Sequence, residues 1–159
     1  MNNVSIRPGR AEDIEAMVAM LPRLAEFELP KHRRAGDLWE GDAKALRTWA
    51  EQGDDSAIVV VAEDAEAGVV GVAFVRLQPE FMSKAPSGHL EALAIAPIAD
   101  GHGIGRRLLG AAEDAAKAAG ALAMTLHVFA NNERARSVYD RHGYEGELLR
   151  YVKHLDASS

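Results

Sequence analysis

The chain reads as an α/β or α+β protein in which a mixed, mostly antiparallel sheet is flanked by helices. Three observations predict this. Two β-branched runs, Ala57 to Ala62 and Val69 to Leu77, are separated only by Ala65-Glu66-Ala67-Gly68, a hairpin-length link that makes them antiparallel neighbours. An alanine-rich stretch from Gly103 to Ala119 carries Ile104, Leu108, Ala112 and Ala116 at four-residue spacing and meets Gly120, the pattern of an amphipathic helix with its stop. Strand-like segments lie on both sides of that helix, so it serves as the crossover between two parallel strands.

The remaining elements follow in order. Val4-Ser5-Ile6-Arg7 alternates apolar and polar residues and ends at Pro8-Gly9, a short strand and a turn. Ile14, Met17, Val18, Leu21, Leu24 and Ala25 fall on one helical face, which Pro22 kinks or ends early. Pro30 to Gly36 is a polar loop, and a second short helix after Gly41 buries Leu46, Trp49 and Ala50. Pro79 to Gly88 is a loop, His89 to Ala96 a strand ended by Pro97, and Leu122 to Phe129 another strand. Glu133 to Arg141 is a helix closed by His142-Gly143, and Leu148 to His154 is expected as a last strand.

Composition bounds the function classes. At 159 residues and 17.1 kDa one domain over residues 1–159 is expected, burying roughly two-thirds of its unfolded surface. The absence of cysteine excludes disulfides, thiolate metal sites and a cysteine nucleophile, and points to a reducing compartment. Met1 to Ser5 has neither a basic leader nor an apolar run, so the cytoplasm is expected, with no membrane partner. A net charge of -6 with scattered basic pairs argues against nucleic acid and is compatible with steering of a cationic substrate. The six histidines lack the spacing of a helical metal pair, so no metal site is expected, and no Gly-x-Ser-x-Gly is present.

The segment that carries chemistry is Asp100-Gly101-His102-Gly103-Ile104-Gly105-Arg106-Arg107, placed between a strand and the best helix. Free N–H groups at a helix start, reinforced by the helix dipole, form an anion site, and glycines let phosphate oxygens approach the backbone. The same glycines would also serve a plain tight turn. The Lys-Ser/Thr pair of a P-loop is missing after Gly105, and the loop comes after several antiparallel strands, unlike a dinucleotide-binding fingerprint.

Taken with its surroundings, the segment resembles the GNAT acetyltransferase superfamily, whose signature Gln/Arg-x-x-Gly-x-Gly/Ala opens a helix after the fourth strand. Leu90 to Pro97 is similar to that strand, and Gly103 to Leu109 to the turn and helix that bind the cofactor. Asn132 to Tyr139 followed by His142-Gly143-Tyr144 is similar to the later motif of Asn, Ala, Tyr and Gly-Phe. The likeness is specific from Leu90 to Tyr144. It implies a GNAT-like fold, acetyl-CoA as acetyl donor, and a small-molecule or peptide amine as acceptor. Cofactor contacts are implied for Leu93, Ala94, Ile95, Asp100, Gly101, His102, Gly103, Ile104, Gly105, Arg106 and Asn132, with Asn131 as the rival of Asn132. The Gln/Arg position falls on Asp100, where His102, Arg106 and Arg107 are the nearby sources of positive charge and an aspartate can cap the helix. On this reading Asp100→Arg is expected to leave acetyl-CoA affinity equal or better.

The resemblance also assigns roles. An amine with a pKa of about 10.4 must lose a proton before attack, and Glu91 matches the family's glutamate that takes it directly or through water. Tyr139 matches the general acid that protonates the departing thiolate, and a backbone N–H around Ala94 or Ile95 would stabilise the oxyanion. Against these stand plainer roles: a surface strand carboxylate for Glu91, sheet packing with Val138 for Tyr139, a helix cap for Asn132. The second functional reading is a noncatalytic acyl-CoA-binding sensor or scaffold of the same fold. The acceptor is expected among Leu24 to Trp39, Pro79 to Gly88 and Glu145 to Leu148. Dimerisation is frequent in similar proteins, and no seam in the sequence specifies a homodimer.

Overall fold

The computed structural model describes residues 1–155. Five strands form one sheet in the order β1-β2-β3-β4-β5: β1 Val4–Pro8, β2 Ala57–Asp64, β3 Gly68–Pro79, β4 Pro86–Ile95 and β5 Met124–Leu126. The first four pair antiparallel and β5 joins β4 in parallel, as the helix-length crossover between them requires. The β2–β3 hairpin forms where the hairpin-length link predicts it, and the Asp64 carboxylate accepts from the Glu66 and Ala67 amides at 3.0 and 2.8 Å to fix the turn.

Both faces of the sheet are covered, which explains the unbroken apolar runs of β2 and β3. Val59, Val61, Val72 and Phe74 pack with Met17 and Met20 from α1 (Ile14–Met20), Leu21 just after it, and Leu46 from α2 (Glu40–Gln52). Val60, Ala62, Ala73 and Val75 pack on the other face with Ile104, Leu108, Leu109 and Ala112 from α3 (Ile104–Ala118). The first helical stripe is real but changes form at Pro22. The α-helix stops at Met20 and the chain continues as a 3-10 segment over Leu21–Ala25, because proline removes a donor and crowds the preceding turn. A short helix α4, Glu133–Arg141, follows β5.

Two sequence expectations need correction. The strand from Leu122 to Phe129 contracts to Met124–Leu126, since only Gly88, His89 and Leu90 of β4 pair with it. The last strand expected over Leu148 to His154 is absent: residues 145–155 hold no regular structure, and Leu148, Leu149, Tyr151 and Val152 are exposed. Strand propensity there is high, but a strand needs a partner edge, and within the described chain this segment pairs with none.

Candidate active site

β4 runs five residues past the point where β5 leaves it. Pairing between them ends at Leu90 with Leu126, while β4 continues to Ile95. Its far edge is therefore open, and Glu91, Ala92, Leu93, Ala94 and Ile95 all line a cavity of about 560 Å³. Leu126 to Phe129 form the opposite lip, Leu24, Phe27, Leu38 and Asp42 one wall, and Gly105, Asn132, Val138 and Tyr139 the other. Phe27 and Phe129 meet at 5.6 Å between ring centroids and join the two lips. The splayed strand is a tertiary feature: β4 stays paired with β3 as far as Ile95, while β5 ends at Leu126 and the chain leads on to α4.

At one end of the cavity lies the glycine-rich loop. Gly101 and Gly103 adopt φ of +77° and +72°, the left-handed region that side-chain-bearing residues avoid. This turn brings the chain into α3 with its first amides facing outward. None of the amides from Gly101 to Arg106 is donated to an acceptor among the described residues, and Arg107 is the first to bond back, to Gly103 at 3.2 Å. Gly101, His102, Gly103 and Arg106 are exposed, whereas the Ile104 side chain is buried in the core, so Ile104 offers only its amide. The arrangement is an anion cradle on a helix N-terminus and fits a diphosphate. Replacing Gly103 by alanine costs about 1 kcal/mol of left-handed strain and sets a methyl before the amides. A several-fold loss of coenzyme A affinity in calorimetry is the expected result, at most about fivefold from the strain, because only strain that the free variant relieves by leaving this conformation must be restored on binding.

Asp100 sits beside this cradle and does not cap α3, whose N-cap is Gly103. Its carboxylate is held by Arg23, with Nη1 to Oδ1 and Nη2 to Oδ2 both at 3.0 Å, and this pairing keeps Asp100 below the usual carboxylate range. The pairing removes the reason for expecting Asp100→Arg to be harmless, since that change would set two guanidinium groups face to face. Of the neighbouring cations named from the sequence, Arg107 is committed elsewhere, donating to the Val4 carbonyl at 2.9 Å.

Glu91 occupies a β-bulge. Phe74 pairs with Ala92 and Val75 with Leu90, so Glu91 is the extra residue, turned out of the regular alternation. Arg76 approaches it at 3.9 Å but is anchored on Asp54 at 2.7 Å. On the facing wall stands Asp42, from the first turn of α2, with no ion-pair or hydrogen-bond partner among the described residues. Burial first, and the nearby charge of Glu91 second, push its carboxyl up to about 7. His89 contacts Thr125 Oγ1 through Nδ1 at 2.8 Å and packs edge-on to His127; burial lowers its pKa despite Glu91.

Tyr139 is mostly buried, and burial raises its phenol above the ordinary value, keeping it neutral at pH 7. Its hydroxyl makes no hydrogen bond among the described residues, where no fully buried side-chain polar atom lacks a partner, so it opens onto the cavity it lines. Asn132 lines the cavity and also caps α4, its Oδ1 accepting from the Ala135 amide at 3.2 Å. Asn131 instead donates to the Glu28 carbonyl at 2.6 Å.

The structure thus gathers Glu91, Leu93, Ala94, Ile95, Asp100, Gly105, Asn132 and Tyr139 around one cavity. Gly101, His102, Gly103, Ile104 and Arg106 belong to the adjoining cradle. Of the segments expected to hold the acceptor, residues 24–39 contribute to the lining, while 79–88 and 145–148 do not. Sequence reasoning missed Asp42 and Arg23. Asp42 looks like any first-turn helix acid, and Arg23 like a surface cation after a proline.

Comparison with known proteins agrees with this architecture. The family described as "Acetyltransferase (GNAT) family" matches residues 21–144. A Bacillus subtilis (strain 168) protein named uncharacterized N-acetyltransferase YhfO is 33% identical over 144 residues, covering 89% of this chain and 90% of that protein. A crystal structure titled as a transcriptional regulator from Bacillus halodurans C-125 superposes with a TM-score of 0.72 at 24% identity, covering 96% of this chain and 100% of the other. AAC(6')-Iy, solved in complex with the bisubstrate analog CoA-S-monomethyl-acetylneamine, superposes with a TM-score of 0.70 at 18% identity, covering 96% and 99%. With the family motif spanning the cradle, the open strand and α4, the chain belongs to the GNAT acetyltransferase family and is an N-acetyltransferase that uses acetyl-CoA.

Proposed function

We propose that the protein transfers the acetyl group of acetyl-CoA directly to a primary amine of a small molecule or peptide, with Glu91 as base and Tyr139 as acid. The observation that carries this reading is the open edge of β4. A bulged carboxylate, unpaired backbone and a free neutral phenol share one cavity beside a phosphate cradle. The amides from Gly101 to Arg106 hold the diphosphate, and the β4 edge aligns the arm that carries the thioester. Glu91 takes a proton from the arriving ammonium, directly or through water, which frees the nitrogen lone pair for attack on the thioester carbon. A backbone N–H near Ala94 or Ile95 stabilises the oxyanion. When the carbon–sulfur bond breaks, Tyr139 protonates the thiolate, and the second proton that the attacking nitrogen sheds on becoming an amide returns through solvent to Tyr139. The products are the acetamide, coenzyme A thiol and one proton.

The acceptor enters as a cation. Asp42 and Glu91 face each other as two acids whose repulsion is relieved either by the proton that Asp42 keeps up to about pH 7 or by an arriving cation, whereas Glu26 and Asp37 of the lining are already paired with Arg23 and Arg34. Alkylamines that are protonated at pH 7 fit this wall better than aryl or anionic amines.

The assay is release of coenzyme A thiol from acetyl-CoA across an amine panel, with the acetylated product identified by mass. Thermal stabilisation by acetyl-CoA without turnover on any amine would instead support an acyl-CoA sensor. Asp42 has a further signature in the ligand-free protein. Its folded pKa of about 7 lies above the ordinary 3.8, so the folded state holds a proton that the unfolded chain has lost between these values. Stability therefore falls as pH rises from about 4 to 7 and is level above. Asp42→Asn removes this slope: its melting temperature gains on the parent between pH 5 and pH 8. A difference independent of pH would contradict the raised carboxyl.

A further inference from the structure

Arg23 donates four of its five guanidinium N–H groups to three partners that are distant in sequence or in role. Nε donates to Glu26 at 3.0 Å, Nη1 to the Ile95 carbonyl at 2.6 Å and to Asp100 Oδ1 at 3.0 Å, and Nη2 to Asp100 Oδ2 at 3.0 Å. Its side chain is only 19% exposed. Ile95 is the last residue of β4, and Asp100 is the last before the glycine turn. The intervening link is a single 3-10 turn over Pro97–Ala99. One side chain from the acceptor-facing wall therefore clamps both ends of the connection between the open strand and the phosphate cradle. Arg134, at the start of α4, comes within 3.9 Å of the same carboxylate.

We infer that Arg23 and Asp100 form a positioning pair that aims the cradle amides and cancels the charge of the acid at its entrance. The inference rests on the cradle as the coenzyme A site. Two physical effects combine. The bidentate bond fixes the direction in which the chain leaves Ala99, and hence where the amides of Gly101 to Arg106 point. Arg23 also neutralises a carboxylate that would otherwise face a diphosphate across a short, partly desolvated gap. A pair that merely held the fold together would have the first effect on stability and not the second on ligand charge.

Calorimetry with coenzyme A on the full chain tests this, using Arg23→Met, Asp100→Asn and the double variant, with melting temperatures measured in parallel. Arg23→Met strands Asp100 beside the phosphates, and coenzyme A affinity is expected to fall about tenfold or more, as for loss of a charged hydrogen-bonded pair. The loss shrinks when ionic strength rises from about 0.1 to 1 M, which shortens the screening length to about 3 Å. Adding Asp100→Asn to Arg23→Met removes the stranded charge and recovers the part of the affinity lost to it, while the part lost with the bidentate bond stays lost. Affinity within twofold of the parent in Arg23→Met overturns the proposal, as does a folded double variant that binds no better than Arg23→Met. If Arg23→Met does not fold, Arg23→Lys keeps the charge but cannot bridge Asp100 and Ile95 together. Its expected result is weaker coenzyme A binding with an unchanged salt dependence, and unaltered affinity overturns the positioning role. Failure of the parent itself to bind coenzyme A would strike the cradle assignment and not the pair.

Discussion

Tyr139→Phe is expected to lower kcat for acetyl transfer by about a hundredfold or more, the usual contribution of a positioned general acid, while coenzyme A affinity and melting temperature stay near the parent's. The structure makes this an unusually clean substitution. The ring packs against the α3-side core and meets Tyr144 at 5.9 Å, contacts that phenylalanine keeps. The hydroxyl makes no hydrogen bond among the described residues, so its removal strands no buried partner. Loss of rate therefore reports on the proton and not on the fold. Steady-state kinetics with the best amine of the panel, beside thermal melting, measures both. Full turnover in a folded variant would reduce Tyr139 to a packing residue. Leaving-group chemistry supplies a second check: the deficit narrows for a thioester whose thiol is more acidic, because its thiolate departs without help.

Glu91→Gln is expected to lower kcat/KM by about a hundredfold at pH 7, with the deficit narrowing as pH approaches the amine's pKa of about 10.4. Without the base, the reaction depends on amine that is already deprotonated, a fraction that grows tenfold with each pH unit. The parent's profile should flatten earlier, because its carboxylate takes the proton at the site. Glutamine preserves the shape of the bulge, and the facing Asp42 loses the charge that helps to raise its own carboxyl. A pH-rate profile parallel to the parent's would remove Glu91 from proton transfer. A loss in the Glu91→Gln variant that appears only in the amine KM would instead assign the residue to binding the acceptor's charge.

Much of the architecture was legible because it is written in local chemistry. The β2–β3 hairpin depends on a three-residue turn that Asp64 closes with its own side chain, and α3 depends on a four-residue apolar spacing with glycine just outside each end. The glycine cradle is equally local: positive φ at Gly101 and Gly103 follows from the residues themselves. The missing last strand shows the limit. Residues 148–154 carry strand-forming side chains, but pairing is a property of two segments, and one of them was never in the pattern.

The site divides along the same line. By itself the sequence determined the glycine-led helix start, the bordering strand with Glu91, and the helix that Asn132 caps and that carries Tyr139, because each is a short motif whose backbone needs are met by neighbours in the chain. Only the tertiary structure decided that β5 leaves β4 after Leu90, that Glu91 stands in a bulge facing Asp42, and that Arg23 crosses to Asp100. Those are relations between segments tens of residues apart, and charge or strand register acquires its meaning there only when packing brings the partners within a few ångströms.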